Sequence, residues 1–217
     1  ASSSALRRGA LAVSRIPADP TSGVSPLGLS RGLDLAREVY GDVLELDWEA
    51  VKGRLLVFFR GRLKHLHAKS FPTDLTEAVL ASGFDRPADV EGRLSALSRV
   101  KSQEGWDDLA IAVKRVVRIV ADQEAQALDP KSLVGVAETA LYEAFSSSRA
   151  GIQEALNAGD YDHAIEGLIG LKPHIDRFFD DVMVMSDDLS ERHRRLALLT
   201  EVGALFGAMA SFDKVST

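Results

Sequence analysis

The segment between Lys172 and Phe206 constrains the fold more than any other part of the chain. Apolar residues recur in it three or four positions apart, namely Phe178, Phe179, Val182, Met183 and Met185. This spacing predicts an amphipathic helix over residues 173–185 with a wide apolar face. Asp187 and Asp188 come next, and a carboxylate before a Leu-rich run predicts the N-cap of a second helix over residues 189–210. The segment therefore predicts two packed helices whose apolar residues belong to a core.

The rest of the chain has the same helical periodicity. Helical spacing extends over residues 5–16, 27–40, 48–69, 73–81, 87–101, 106–125, 136–157 and 161–171. We expect Asp47 and Thr73 to cap the helices that follow them, and Gly83 to end the helix that starts at Thr73. The alternating apolar runs at 43–46 and 182–185 are too short to indicate strands. Aromatic residues make up only 6% of the chain, and Leu, Ala and Val dominate, which favours helices. We therefore predict an all-α, irregular helical bundle.

A Pro-, Gly- and Ser-rich stretch indicates where the domain begins. Residues 17–26 read PADPTSGVSP, a composition typical of a boundary loop. We interpret residues 1–26 as the end of a preceding helical domain plus a linker, and residues 27–217 as one helical domain. The first residue is Ala, which suggests a fragment of a longer protein. A signal-peptide pattern and an apolar run of about 20 residues are both absent, so we expect no membrane partner.

Charge and cysteine content exclude several classes of function. The formal net charge is −6, which argues against a protein that coats DNA or RNA without specificity, although a local basic face remains compatible with it. The chain contains no Cys, which excludes disulfides, thiolate metal sites and a Cys nucleophile, and is compatible with the cytoplasm. Phosphate-loop and dinucleotide-binding Gly patterns are missing, and the acidic pairs lack partners for a metal shell. We expect no catalytic residue, metal or cofactor in this chain.

One basic cluster lies in a window without acidic residues, between Ala50 and Thr73. Arg60, Lys64 and His67 are spaced i, i+4, i+7, so helical geometry places them on one face. Residues expected to pack inward are Leu55, Phe58, Phe59 and Leu66. The basic row either binds phosphates or is a solvated face neutralised by acids of other helices. Arg62 falls on the apolar side, so it either reaches a buried carboxylate, which we favour, or is freed by a bend at Gly61.

A second basic cluster lies in the sequence IAVKRVVRIV. Lys114, Arg115 and Arg118 are expected to point outward from this helix. Its inward stripe is Leu109, Val113, Val116, Val117 and Val120. The cluster is either an RNA-binding ridge or a basic ridge that faces solvent. Three further cations, Arg192, Arg194 and Arg195, begin the last helix. That end of a helix disfavours cations, so we expect them to pair with Asp187, Asp188 or Glu191, or with RNA.

Several of these motifs resemble one known family. The string from Lys172 to Phe206, KPHIDRFFDDVMVMSDDLSERHRRLALLTEVGALF, is similar to the C-terminal end of the β subunit of bacterial-type glycyl-tRNA synthetases. Lys114, Arg115, Val116 and Ile119 match the family pattern N-K-R-V-x-N-I-L, whereas Val113 and Arg118 replace its two Asn residues. The sequence Gly61-Arg62-x-Lys64 matches G-R-x-R/K, and the ALRRGAL sequence near the N-terminus resembles a helix that lies before the family's anticodon-binding region.

The resemblance implies a fold and a function. The fold is the helical anticodon-binding domain that also occurs in arginyl-tRNA synthetases. The substrate is the anticodon region of glycine tRNA, and the partner is a catalytic α subunit in an α2β2 assembly that uses ATP. This chain is then a non-catalytic, cytoplasmic, RNA-binding part of a ligase, with Arg60, Lys64, His67, Lys114, Arg115 and Arg118 as its candidate RNA contacts. The alternative is a helical protein-interaction or scaffolding domain without RNA binding.

Overall fold

The computed structural model describes residues 28–40, 47–123 and 127–217. Its α-helices are α1 Leu29–Tyr40, α2 Trp48–His67, α3 Thr73–Ser82, α4 Pro87–Lys101, α5 Trp106–Val120, α6 Val136–Ala158, α7 Tyr161–Ile169, α8 Lys172–Asp181 and α9 Leu189–Gly207. Short 3₁₀ turns occupy Pro130–Ser132 and Phe212–Lys214. Within those ranges there is no β-strand, and the predicted all-α bundle is confirmed. The N-terminal helix and linker predicted over residues 5–26, and the run at 43–46, lie outside the described residues.

The helix ends follow from local hydrogen bonding and backbone geometry. Asp47 accepts a hydrogen bond from the backbone N of Ala50 at 3.2 Å and caps α2, as predicted. Asp188 accepts from the backbone N of Ser190 at 2.8 Å and caps α9. Thr73 is wrong as a cap, because Pro72 occupies the N-cap position and Thr73 is already helical. Gly83 ends α3 with φ of 150°, a conformation that residues with a side chain rarely adopt.

The core is built around α5 and α9, and α6 packs against α7, α8 and α9. Gly203 of α9 lies so close to α5 that a Cβ built on it would be 3.4 Å from Val116. At one end of this pair, the ring of Phe212 lies 5.8 Å from that of Phe206 and 6.2 Å from that of Trp106. These aromatic contacts anchor the 3₁₀ turn and hold the residues after it against the bundle.

The C-terminal residues are fixed against α3. The backbone N of Ser211 donates to the carbonyl of Ala78 at 3.0 Å, and that of Ser216 donates to Oδ2 of Asp74 at 2.7 Å. Lys101 of α4 donates to the same Asp74 oxygen, and these bonds hold the pKa of Asp74 below its usual value even though burial alone would raise it. Residues 211–217 therefore run along α3 and reach α5.

Two predicted helices end four or five residues earlier than expected. The helix predicted to Met185 ends at Asp181, and Val182 has extended backbone angles, φ −125° and ψ 120°. Met183 is 78% exposed while Val184 is buried, so side chains alternate there and the continuous helical stripe is wrong beyond Phe179. Negative charge at a helix C-terminus is unfavourable, and Asp181 occupies that end. The helix predicted over 106–125 likewise ends at Val120.

None of the described helices has both the length and the apolar character that crossing a bilayer requires.

Candidate nucleic-acid interface

The first basic cluster is neutralised by a neighbouring helix. Nη2 of Arg60 lies 2.7 Å from Oε2 of Glu77, a residue of α3, and Lys64 pairs with the other oxygen of the same carboxylate. The hydrogen bond from Lys64 and the charge of Arg60 hold the pKa of Glu77 below its usual value. For Arg60 and Lys64, the structure therefore shows the second interpretation of this row, in which an acid from another helix neutralises the cations.

His67 does not share an exposed face with these cations. It is only 5% exposed and continues the inward line of Phe59 and Leu63. The chain after α2 turns back, so that the ring of Phe71 lies 5.8 Å from the imidazole. Burial lowers the pKa of His67, which favours the neutral ring. The predicted outward row of three is wrong at this position, because His67 lies at the edge of the inward face and the following turn covers it.

The inward face of α2 differs from the predicted one. Of the four side chains expected there, only Phe59 is buried, and the fully buried Leu63 was not among them. Arg62 is partly buried on α2. Its guanidinium carbon lies 5.6 Å from the ring centre of Phe58. Its Nε is buried and has no hydrogen-bond partner among the described residues. The buried carboxylate that we favoured as the partner of Arg62 is not found among the described residues, and the guanidinium instead packs against the partly exposed ring of Phe58.

The second basic cluster remains accessible at the surface of α5. Leu109, Val113 and Val116 are buried as predicted, so the opposite face carries Lys114, Arg115 and Arg118. These three cations line a surface cavity of about 460 Å³ together with Ile111, Ile119 and Thr217. No Asp or Glu side chain is among the described residues that line this cavity, whereas Glu77 lies beside the first cluster. Among the described residues, the charged side chains that line this cavity are therefore all cationic.

Two contacts hold Lys114 and Arg115 in place at this cavity. Nζ of Lys114 donates to Oγ1 of Thr217 at 3.1 Å. The guanidinium of Arg115 lies over the ring of Phe179, with 4.1 Å between its central carbon and the ring centre. Neither partner could be found from sequence, because local spacing says nothing about contacts with residues so far along the chain. Phe179 itself was predicted as a core residue, and it is buried.

The two basic clusters lie on either side of the C-terminal segment. A second cavity, of about 580 Å³, is lined by Arg60, Thr73, Asp74, Glu77, Lys214 and Ser216. Ser216 lines this cavity and the adjacent residue, Thr217, lines the one on α5. The two cavities are therefore adjacent. Of the two, only the cavity on α5 has no Asp or Glu side chain among its described lining residues.

The arginines at the start of α9 point to a carboxylate that sequence patterns did not identify. Nε of Arg194 and Nε of Arg195 donate to the two oxygens of Glu138 at 3.1 and 2.6 Å. Glu191 completes the network, as predicted, with 2.8 Å between its Oε2 and Nη1 of Arg195. Arg192 instead donates to the carbonyl of Ser186. These arginines are thus engaged within the protein.

No group of three or more acidic or His side chains suited to a metal occurs among the described residues.

Comparison with known proteins supports the motifs. Residues 109–211 match the DALR anticodon binding domain, and the matched region contains all of α6 to α9 and most of α5. The chain is 41% identical over 170 residues to the glycine–tRNA ligase β subunit of Myxococcus xanthus, and 40% identical over 192 residues to that of Geobacter sulfurreducens. It is 32% identical over 212 residues to that of Trichlorobacter lovleyi.

The resemblance to glycyl-tRNA synthetase β subunits is confirmed. The aligned part covers 76%, 84% and 98% of this chain in those three cases, and 24%, 26% and 30% of the respective relatives. The chain thus spans less than a third of the length of these β subunits. The α5 cavity, which is formed mainly by residues inside the matched domain, is the candidate interface.

Proposed function

We propose that this chain is the anticodon-binding part of a glycyl-tRNA synthetase β subunit and holds the anticodon loop of glycine tRNA against α5. The observation that carries the proposal is the coincidence of two features. The DALR anticodon binding match begins at residue 109, and the helix at that position carries the cavity that is lined by three cations and, among the described residues, by no Asp or Glu side chain. The names of the similar proteins supply the amino acid, glycine.

The chemistry of the cavity suits a single-stranded RNA loop. Lys and Arg neutralise phosphates, and exposed apolar or planar groups accept unstacked bases. The net charge of −6 disfavours non-specific attraction of RNA to the rest of the surface, so the basic cavity is the primary contact. Lys114, Arg115 and Arg118 are therefore the proposed contacts. Arg60 and Lys64 form a secondary contact that must first compete with Glu77, and the buried His67 acts through packing.

The activity of the whole protein extends this proposal. We infer that the chain contributes tRNA recognition to a cytoplasmic ligase in which an α subunit, in an α2β2 assembly, carries out ATP-dependent glycylation. Its own part in that reaction is positioning, because the cations of the cavity bind and orient tRNA without making or breaking bonds.

A charge-reversal pair tests the interface. Lys64→Glu combined with Arg118→Glu places negative charge in both neighbouring clusters, so binding to glycine tRNA should be lost while the chain remains folded by circular dichroism. The matched control is Arg99→Glu with Lys131→Glu, which alters the net charge equally at exposed positions away from the two cavities. Equal binding by both double variants would exclude this surface as the interface.

One observation favours the alternative of a protein-interaction domain. Five large apolar side chains are exposed near one end of the bundle, namely Val134, Val136, Met183, Met185 and Leu189. Arg195 links the segments that carry these side chains, since it donates both to Glu138 of α6 and to the carbonyl of Met183. A patch of this kind suits a protein partner. Absence of tRNA binding by the wild-type chain, with the fold intact, would favour this second function.

A further inference from the structure

The cavity on α5 contains a guanidinium plane that the protein holds in a fixed orientation. Arg115 is exposed, yet its guanidinium lies over the ring of Phe179 at 4.1 Å. Phe179 is itself immobilised, since it is buried and its ring lies 5.8 Å from the fully buried ring of Phe178. An exposed Arg normally samples many rotamers, whereas this one is restrained through stacking on a core residue.

A stacked guanidinium has two faces, and because Arg115 is exposed and lines the cavity, its second face can accept another planar group. The neighbouring side chain of Ile111 is 55% exposed and lies one helical turn before Arg115, on the same side of α5. Ile111 supplies an apolar side of the cavity and the guanidinium of Arg115 supplies a planar one. The cavity volume is about 460 Å³, within the range of roughly 300–1,000 Å³ that is typical of small-molecule sites.

The other two cations suit a phosphate instead of a base. Nζ of Lys114 is tied to the hydroxyl of Thr217 at 3.1 Å, and Arg118 lies one turn beyond Lys114 on the exposed side of α5. A Lys ammonium is a compact charge without a plane, so it cannot form the stacking contact that Arg115 offers. The cavity thus separates a stacking position from a charged rim.

We propose that this cavity takes one unstacked base of the tRNA loop, sandwiched on Arg115 above Phe179 and bordered by Ile111, while Lys114 and Arg118 hold the adjacent phosphates. The inference rests on the proposed function and specifies the site within it. It assigns to Phe179 the role of a positioning residue, because this ring touches the guanidinium and not the RNA. Stacking is tolerant of base identity, so the site contributes affinity for an extruded base and not the choice between bases.

Replacement of single bases by abasic nucleotides tests this assignment. Glycine tRNA is prepared with one abasic position at a time through the anticodon loop, and each Kd is measured with the wild-type chain and with Arg115→Lys, which keeps the charge but loses the plane. One abasic position should weaken wild-type binding about tenfold, as expected for the loss of a stacked base. Arg115→Lys should weaken binding to intact tRNA by a similar factor, and the same abasic position should then cost this variant nothing further.

Two further variants separate stacking from other effects. Arg118→Lys keeps a cation at the rim and should leave the abasic profile unchanged. Phe179→Leu should reproduce the Arg115→Lys profile in chains that remain folded by circular dichroism. Suppose that Lys64→Glu with Arg118→Glu abolishes tRNA binding, but Arg115→Lys loses the same affinity as the wild type at each abasic position. The stacking assignment is then wrong, while the anticodon-binding function stands. If the wild-type chain binds no glycine tRNA, both are overturned.

Discussion

Nε of Arg195 donates to Oε1 of Glu138 over 2.6 Å and thereby joins α9 to α6. Glu138 is 1% exposed, and its second oxygen accepts from Arg194. Burial alone would raise the pKa of Glu138, but the hydrogen bonds from Arg195 and Arg194 outweigh it and hold the pKa below the usual value. The pair fixes the start of α9, where three arginines would otherwise face the positive end of the helix dipole.

Replacement of Glu138 by Gln should destabilise the protein. Two guanidinium groups with side chains only 13–14% exposed would lose their buried counter-charge, and removal of one partner from a buried ionic network costs about 3 kcal/mol. Urea unfolding at pH 7 measures the effect. Glu143→Gln, at an exposed position of the same helix, is the control and should change the free energy of unfolding by less than about 0.5 kcal/mol. Equal effects of the two substitutions would refute a stabilising role for the Glu138 network.

The same carboxylate predicts an acid-dependent loss of stability. Because the folded pKa of Glu138 is lowered, the folded state holds fewer protons than the unfolded state at mildly acidic pH. Its contribution is fully present well above pH 4.5, the ordinary value for this carboxyl, and is lost as pH falls through the lower folded value. The difference in unfolding free energy between wild type and Glu138→Gln should therefore shrink as pH is lowered from 7 toward 3. A difference that stays constant over this range contradicts the pKa direction.

His67 predicts a second, separate pH effect. Burial lowers its pKa from the ordinary 6.5, so the folded protein disfavours the imidazolium, and stability should fall as pH drops below about 6.5. His67→Leu removes the titrating group and should flatten the stability profile between pH 7.5 and 5.5. His65→Leu is the control, because that imidazole is exposed on the same helix. An unchanged slope in His67→Leu would show that another group is responsible.

Two helix-interior glycines should respond oppositely to substitution by Ala. A Cβ on Gly92 would lie 2.5 Å from the ring of Tyr161, where α4 packs on α7, so Gly92→Ala should cost about 1–3 kcal/mol through overpacking. A Cβ on Gly151 would meet nothing within 4 Å, so Gly151→Ala should stabilise α6 by about 0.5–1 kcal/mol. Thermal unfolding of both variants tests the packing, and destabilisation by Gly151→Ala would contradict it.

Sequence patterns predicted helices well because periodicity and caps are local properties. The Asp47 and Asp188 caps and the inward stripe of α5 were all identified from neighbouring residues. Helix ends were less predictable, as the exit from α8 at Asp181 shows, because VMVM has a spacing compatible with both helix and extended chain. The burial of Val184 and exposure of Met183 depend on what packs against that segment.

The candidate site was only partly predictable for the same reason. The residues Lys114, Arg115 and Arg118 could be found from charge and helical spacing, since all three belong to one helix. The neutralisation of Arg60 and Lys64 by Glu77, and the stacking of Arg115 on Phe179, are contacts between different helices. Spacing along one helix contains no information about them, so the difference between the two basic clusters became evident only in the structure.

The central claim is that this chain binds the anticodon region of glycine tRNA. The measurement that tests it most directly is the Kd of the chain for glycine tRNA and for the same tRNA altered only in its anticodon, each at two salt concentrations. Tighter binding to the intact anticodon, weakened for both RNAs by added salt, is the predicted result. Equal affinity for the two tRNAs, or no binding to either, would contradict the claim.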